Sequence, residues 1–148
     1  MYKHLFVPVD GSELSRRSME GSIELAQQLG ARITGFVVEP DVPLTAATSH
    51  TEPLLDRIKD NEAQNEVHAA ALLGQFEQRA VAAGVAFTAH HVTAYRVSQS
   101  IVEEAEKSGC DMIVMVTEGR SRVGKFIFGS HTKDVIIESS LPVLVLRK

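Results

Sequence analysis

The sequence contains a single cysteine, Cys110, among its 148 residues. An internal disulfide is therefore impossible, which fits a protein of a reducing compartment. Because Cys110 stands at the entrance to an apolar run, we expect it to be a small, buried packing residue and not a redox group.

Long hydrophobic runs are also missing. No stretch approaches the roughly 18 apolar residues that a membrane-spanning helix needs. The first residues carry Lys3 and an apolar run that Pro8 interrupts, so they do not match a secretory signal. We therefore expect a cytoplasmic protein without membrane insertion.

The sequence also lacks a strong excess of charge of one sign. The net charge is −4, and like charges form no block along the chain. A surface that follows a phosphate backbone usually needs a marked basic excess, so we do not expect a nucleic-acid partner. The hydrophobic content of 44% with 23% charged residues is typical of a soluble globular protein. The length fits one domain that covers residues 1–148.

What is present is an alternation of β-rich apolar runs and amphipathic segments. The runs predict strands covered on both faces, and apolar residues at helical spacing predict helices. Ser12 is a suitable N-cap for the first helix, and Gly30 a suitable terminator. The pattern predicts an α/β fold with a largely parallel sheet and a long surface loop over residues 39–53. The predicted strands are 4–9, 32–38, 85–92, 112–116 and 142–146, and the predicted helices are 14–29, 54–83, 98–108 and 131–140.

Two turns follow predicted strands directly, at Asp10 and at Gly119. In an open parallel sheet, ligands bind beyond the carboxyl ends of the strands, where the strand order reverses. The stretch after Gly119 is rich in glycine and basic residues, and Gly129 and Ser130 then begin the last helix. Such a loop, with a helix amino terminus behind it, is a common way to hold a phosphate.

The glycine loop fits more than one interpretation. Residues 119–125 match the first seven positions of a Walker-type phosphate loop, but Phe126 stands where a Ser or Thr should coordinate magnesium. A second interpretation pairs Gly119 with Gly129 and Ser130, with Arg120, Arg122 and Lys125 available to neutralise phosphates. A solvated loop with ordinary basic residues is the third.

No metal site is expected from the histidines. His90 and His91 are adjacent in a predicted strand and point to opposite faces, so the pair cannot chelate one ion. His68 is interpreted as a helix-surface residue. No nucleophile elbow of the Gly-x-Ser-x-Gly type occurs either.

Four segments together carry a resemblance to a known family: residues 4–13 (HLFVPVDGSE), 111–115 (DMIVM), 141–146 (LPVLVL) and the glycine loop. In this order and with these element lengths, the whole chain resembles the universal stress protein family. The resemblance implies an open, Rossmann-like sheet of five parallel strands with helices on both faces and strand order 3-2-1-4-5. It also implies a homodimer paired along the last strand, Pro142 to Leu146, and, in one branch of the family, bound ATP.

The nucleotide-binding branch has Gly, two residues, Gly, nine residues, and then Gly-Ser or Gly-Thr. This chain has the second and third elements, but Val116 replaces the first glycine, and Glu118 stands where a basic residue or histidine is common. Carried over by position, the resemblance implies that the base and ribose contact Pro8, Val9, Asp10 and the backbone near Val37. It implies that the phosphates contact Gly119, Arg120, Gly129, Ser130 and His131, and that the crevice is walled by Met115 and Val116. Asp10 has an equal alternative as a turn and cap residue.

Three functions follow as expectations. The first is a dimeric, cytoplasmic stress-response protein that binds ATP, with or without Mg²⁺, and regulates an unknown protein partner with little or no catalysis. The second is a nucleotide-free dimer that acts only through protein contacts, which Val116 and Glu118 favour. The third is a slow ATP hydrolase.

Overall fold

The computed structural model describes residues 1–40, 51–117 and 130–147. Strands and helices alternate along the whole chain, as the sequence predicts. They are β1 (His4–Pro8), α1 (Glu13–Leu29), β2 (Arg32–Pro40), α2 (Thr51–Ala82), β3 (Phe87–Ala94), α3 (Val97–Lys107), β4 (Met112–Thr117), α4 (Ser130–Glu138) and β5 (Val143–Arg147).

The strands form one five-stranded sheet in the order β3-β2-β1-β4-β5, and every neighbouring pair is parallel. The predicted fold class and strand order are confirmed. The reversal of strand order falls at β1, which lies between β2 and β4. This is the position at which an open α/β sheet binds its ligands.

The core lies on both faces of the sheet because side chains alternate along each strand. In β1, Leu5 and Val7 pack under α1 and α2, whereas Phe6 packs with α3 and α4. Complete burial of these strand residues explains why they are apolar without alternation. The helix residues that cover the first face include Met19, Ile23, Leu72 and Phe76, and those that cover the second include Ile101, Ala105 and Val135.

The residues predicted to begin and end α1, the helix that connects β1 and β2, do so in the structure. The Ser12 side chain accepts a hydrogen bond from the backbone N–H of Ser15 at 3.1 Å and caps α1. Gly30 ends the helix in the left-handed conformation, with φ of 59°. Gly35, inside β2, is required for a different reason: a β-carbon there would lie 2.4 Å from the ring of Phe87, so only hydrogen fits.

The element bounds in the structure differ from the sequence prediction mainly after the second strand. We predicted that β2 stops at Val38, but it continues to Pro40 because β3 pairs with it as far as Ala94. Pro40 lacks a backbone N–H and is tolerated at the end of a strand. Residues 51–53 were predicted as loop and are helical, since Pro53 is compatible with the first turn of α2. Residues 41–50 of the predicted loop lie outside the described residues.

Among the residues that the structure describes, no helix combines the length and the apolar character required to span a membrane.

Candidate functional site

The carboxyl ends of β1, β2 and β4 meet at one edge of the sheet. The register pairs Pro8 with Phe36 on one side of β1 and Phe6 with Ile113 on the other. Continuing both registers places Val9, Val37 and Val116 at one level across three strands. A hydrogen bond of 2.8 Å from the Val9 N–H to the Phe36 carbonyl keeps β1 and β2 together at this level.

The pairing on the β4 side is shorter. Between β1 and β4 the paired residues are Leu5 with Met112 and Phe6 with Ile113, whereas β1 and β2 remain paired to Pro8. The β1–β4 ladder therefore stops two residues before β1 ends. The point where strand order reverses is where an open α/β sheet usually has its ligand crevice.

Five of the predicted site residues lie at this end of the strands, the base and ribose contacts Pro8, Val9 and Val37 and the wall residues Met115 and Val116, but most of their side chains are turned into the core. Val9 and Val37 are buried beneath α1 and α2, and Met115 is buried on the opposite face. Pro8 and Val116 are half-buried. A ligand would thus meet mainly the backbone of these residues, and a change of side chain there would act through packing.

Asp10 is an exposed acidic residue at this edge. Its carboxylate accepts a hydrogen bond from the backbone N–H of Ser12 at 2.9 Å, so the predicted role in the turn is real. The residue is otherwise exposed. Asp10 can therefore shape the turn and still offer an oxygen to a hydroxyl or amino group of a ligand.

The phosphate end of the predicted site is described only in part. Ser130 is the first residue of α4, and His131 is exposed in its first turn. The first turn of α4 itself carries no acidic residue that would oppose the positive end of the helix dipole. Gly119, Arg120 and Gly129, like Glu118, lie outside the described residues.

The chain offers no preformed metal centre over residues 1–40, 51–117 and 130–147, where no three His, Cys, Asp or Glu side chains converge. His90 meets Glu104 of α3 at 2.6 Å and stacks on Phe36. Together with Lys107, His90 lowers the pKa of Glu104, with the hydrogen bond from Lys107 as the largest cause. This group ties β3 to α3.

Two cavities border the carboxyl edge of the sheet. A groove of about 480 Å³ lies beyond β3 and contains none of the predicted site residues; its lining includes Thr93, Tyr95, Arg96, Gln99 and Glu103. A smaller cavity of about 120 Å³ begins at Gly11 and runs between α1 and α2. Arg16 and Arg79 in its wall both contact Glu20, at 3.3 Å and 3.2 Å, and Arg16 also contacts Glu13 at 2.6 Å, so both arginines have acidic partners.

Sequence reasoning missed one contact at this edge. His68 was interpreted as an ordinary residue of the helix surface, and it is exposed, but its imidazole lies against Gly11 and faces Glu39. The three residues come from α2, the turn after β1 and the end of β2. No local pattern signals such a contact, because it depends on how the helix is placed over the sheet.

Comparison with known proteins agrees with this architecture. Residues 1–147 match the sequence profile of the universal stress protein family. The chain belongs to that family. Universal stress protein MJ0531 of Methanocaldococcus jannaschii is 29% identical over 151 residues, which cover 100% of this chain and 84% of that protein.

Two solved structures of the family have the same fold. Universal stress protein UspA from Lactobacillus plantarum superposes with a TM-score of 0.80 at 22% identity and covers 99% of this chain and 98% of its own. The universal stress protein from Archaeoglobus fulgidus, solved in complex with dAMP, has a TM-score of 0.67 at 19% identity and covers 97% of each chain.

Proposed function

We propose that this universal stress protein binds a nucleotide, ATP with or without Mg²⁺, in the crevice between β1 and β4. The observation that carries the proposal is the reversal of strand order at β1, where the pairing with β4 stops at Phe6 and the exposed residue Asp10 follows the strand. The amino terminus of α4 follows β4 in the chain and would accept the phosphates. The complex of an Archaeoglobus fulgidus relative with dAMP supports a nucleotide as the class of ligand.

In this proposal the nucleotide is a regulatory ligand and is not turned over at a useful rate. No general base is assigned beside the phosphates. Binding would shift the population of conformations around the crevice and thereby alter a surface for an unknown protein partner in the cytoplasm. The stress response is the setting that family membership provides.

The first experiment is mass spectrometry of small molecules released from the freshly purified protein on denaturation, followed by calorimetric titration with ATP and Mg²⁺. We expect release of ATP or ADP, or saturable binding. Gly129→Val should abolish binding, because the family motif has glycine at this position and a valine side chain would hinder close approach of a backbone to a phosphate. The fold should remain intact by circular dichroism.

Gly124→Val is the matched control, since Gly124 lies in the same stretch but outside the family motif. We expect it to bind as the wild type does. Loss of binding in Gly124→Val with normal binding in Gly129→Val would favour the Walker-type interpretation instead. Normal binding in both variants would remove the glycine loop from the site.

A nucleotide-free dimer is the second candidate. Val116 is half-buried and pairs with Leu146, so its β-branched side chain occupies the wall where the nucleotide-binding branch has glycine. Absence of release and of binding in the wild type would establish this alternative. The third candidate is a slow ATP hydrolase. In that case ADP should accumulate faster in the presence of the protein than in a protein-free ATP solution.

We also propose a homodimer paired through β5. The sheet order leaves β3 and β5 at the two edges, and β5 is the more apolar, with the sequence VLVLR against FTAHHVTA in β3. An apolar edge strand exposes unpaired backbone groups unless a partner covers it. Pairing two copies of β5 across a two-fold axis would remove the edge. Leu144→Pro should give monomers or aggregates by light scattering, and an unchanged dimer would contradict this interface.

A further inference from the structure

His68 lies directly over the turn that follows β1. A β-carbon added at Gly11 would lie 3.2 Å from Nε2 and 3.3 Å from Cε1 of the His68 imidazole. Gly11 has a φ of 84°, and its backbone N–H donates to the Ser15 hydroxyl at 3.0 Å, so the turn is held in place beneath the ring. The imidazole therefore lies beside the turn that carries Asp10.

The other side of the ring faces the end of β2. Nδ1 of His68 lies 3.5 Å from Oε1 of Glu39. The Glu39 side chain is only 14% exposed, whereas that of His68 is 60% exposed. Glu39 stands two residues after Val37 and thus on the same face of β2. The imidazole thus lies between the largely buried Glu39 carboxylate and the Gly11 turn, and much of the side chain remains exposed.

We propose that His68 contacts the nucleoside part of the bound nucleotide and that Glu39 is the positioning residue that holds its ring. The proposal rests on the function proposed above. His68 joins the ends of β1 and β2, which is the end of the crevice expected to receive the base and ribose, and α4 with Ser130 is expected at the phosphate end. A flat imidazole that is largely exposed and has neighbours on two elements is suited to stack on a base.

The experiment compares ATP, ADP and AMP by calorimetric titration, because the three share one nucleoside and differ only in phosphates. His68→Ala should weaken all three by the same factor, about tenfold, which corresponds to the loss of one stacking contact. Glu39→Gln should give a smaller uniform loss. Alanine is a good helix former, and His68 is exposed, so the variant is expected to fold.

Two controls define the outcome. Val67→Ala changes the preceding residue of α2, whose side chain is 71% exposed, and should leave the affinities unchanged. Ser130→Ala should weaken ATP more than AMP. Equal affinities in His68→Ala and the wild type, or a loss that shrinks from ATP to AMP, would overturn the role of His68 alone. Absence of binding to the wild type would instead overturn the proposed nucleotide site and this inference with it.

Discussion

The two ends of the sheet use the same kinds of polar residue for opposite purposes. At the amino end, the Asp111 carboxylate accepts hydrogen bonds from the backbone N–H groups of Lys3 at 2.8 Å and His4 at 3.1 Å. Nε2 of His4 lies 2.7 Å from the Thr34 hydroxyl in the buried interior. At the carboxyl end, Asp10 is exposed, and His68 meets Glu39 only at 3.5 Å.

The difference separates residues that hold the fold from residues available to a ligand. Buried or backbone-bound polar groups contribute to stability because unfolding would have to break their hydrogen bonds. Exposed groups that retain free hydrogen-bonding capacity contribute little to stability and can bind a ligand. Variants at the two ends should therefore affect different measurements.

The largest effect is expected for Asp111→Ala. Two backbone N–H groups at the start of β1 would lose their acceptor, which should lower the free energy of unfolding by about 2 kcal/mol in urea denaturation. Asp111→Asn retains one side-chain oxygen and should lose less. ATP affinity should be unchanged in both variants. A loss of ATP affinity in a folded Asp111 variant would break the separation between the two ends.

Asp10→Ala tests the opposite end. Loss of the carboxylate should weaken ATP binding about tenfold, or about 1.4 kcal/mol, because a polar contact to the nucleotide disappears. The free energy of unfolding should fall by less than about 1 kcal/mol, since only the turn hydrogen bond to Ser12 is lost. Calorimetry and urea denaturation together would show whether Asp10 is a ligand residue or only a turn residue.

The smallest effect is a pH dependence at the amino end. Burial of the His4 imidazole, with the charge of Arg32 as the next cause, lowers its pKa below 6.5. The unfolded chain then takes up a proton at a higher pH than the folded chain does. The contribution of His4 to the free energy of unfolding is therefore fully present above pH 6.5. It declines as the pH falls from 6.5 through the lowered pKa.

His4→Gln removes this titration while keeping a group that can hydrogen-bond to Thr34. The difference in free energy of unfolding between wild type and variant, measured by urea denaturation from pH 8 to pH 5, should shift in favour of the variant at the acidic end. A constant difference over this range would show that burial does not control the protonation of His4.

Much of the fold could be predicted because its signals are local. Ser12 begins α1 through its capping hydroxyl, and Gly30 ends it in the left-handed conformation. The run 112–116 is uninterrupted and apolar, which is typical of a strand covered on both faces. The strand order came from the family resemblance and not from periodicity. The extension of β2 to Pro40 was missed because it depends on the partner strand β3.

The candidate site was harder to predict than the fold. Asp10 follows a strand directly and could be identified from its position alone. His68 could not, because it reaches Gly11 across 57 positions of sequence through the packing of α2 on the sheet. Contacts of this kind depend on the angle and height of a helix, which residue spacing does not specify.

The buried cysteine has a practical consequence. Burial raises the pKa of Cys110 to about 11, so its thiol stays protonated at neutral pH, and the protonated thiol is the unreactive form. We therefore expect Cys110 to react little with a maleimide at neutral pH. Thr93 is exposed in the edge strand β3. A dye attached through Thr93→Cys would report on this edge by fluorescence, and the native Cys110 would not have to be removed.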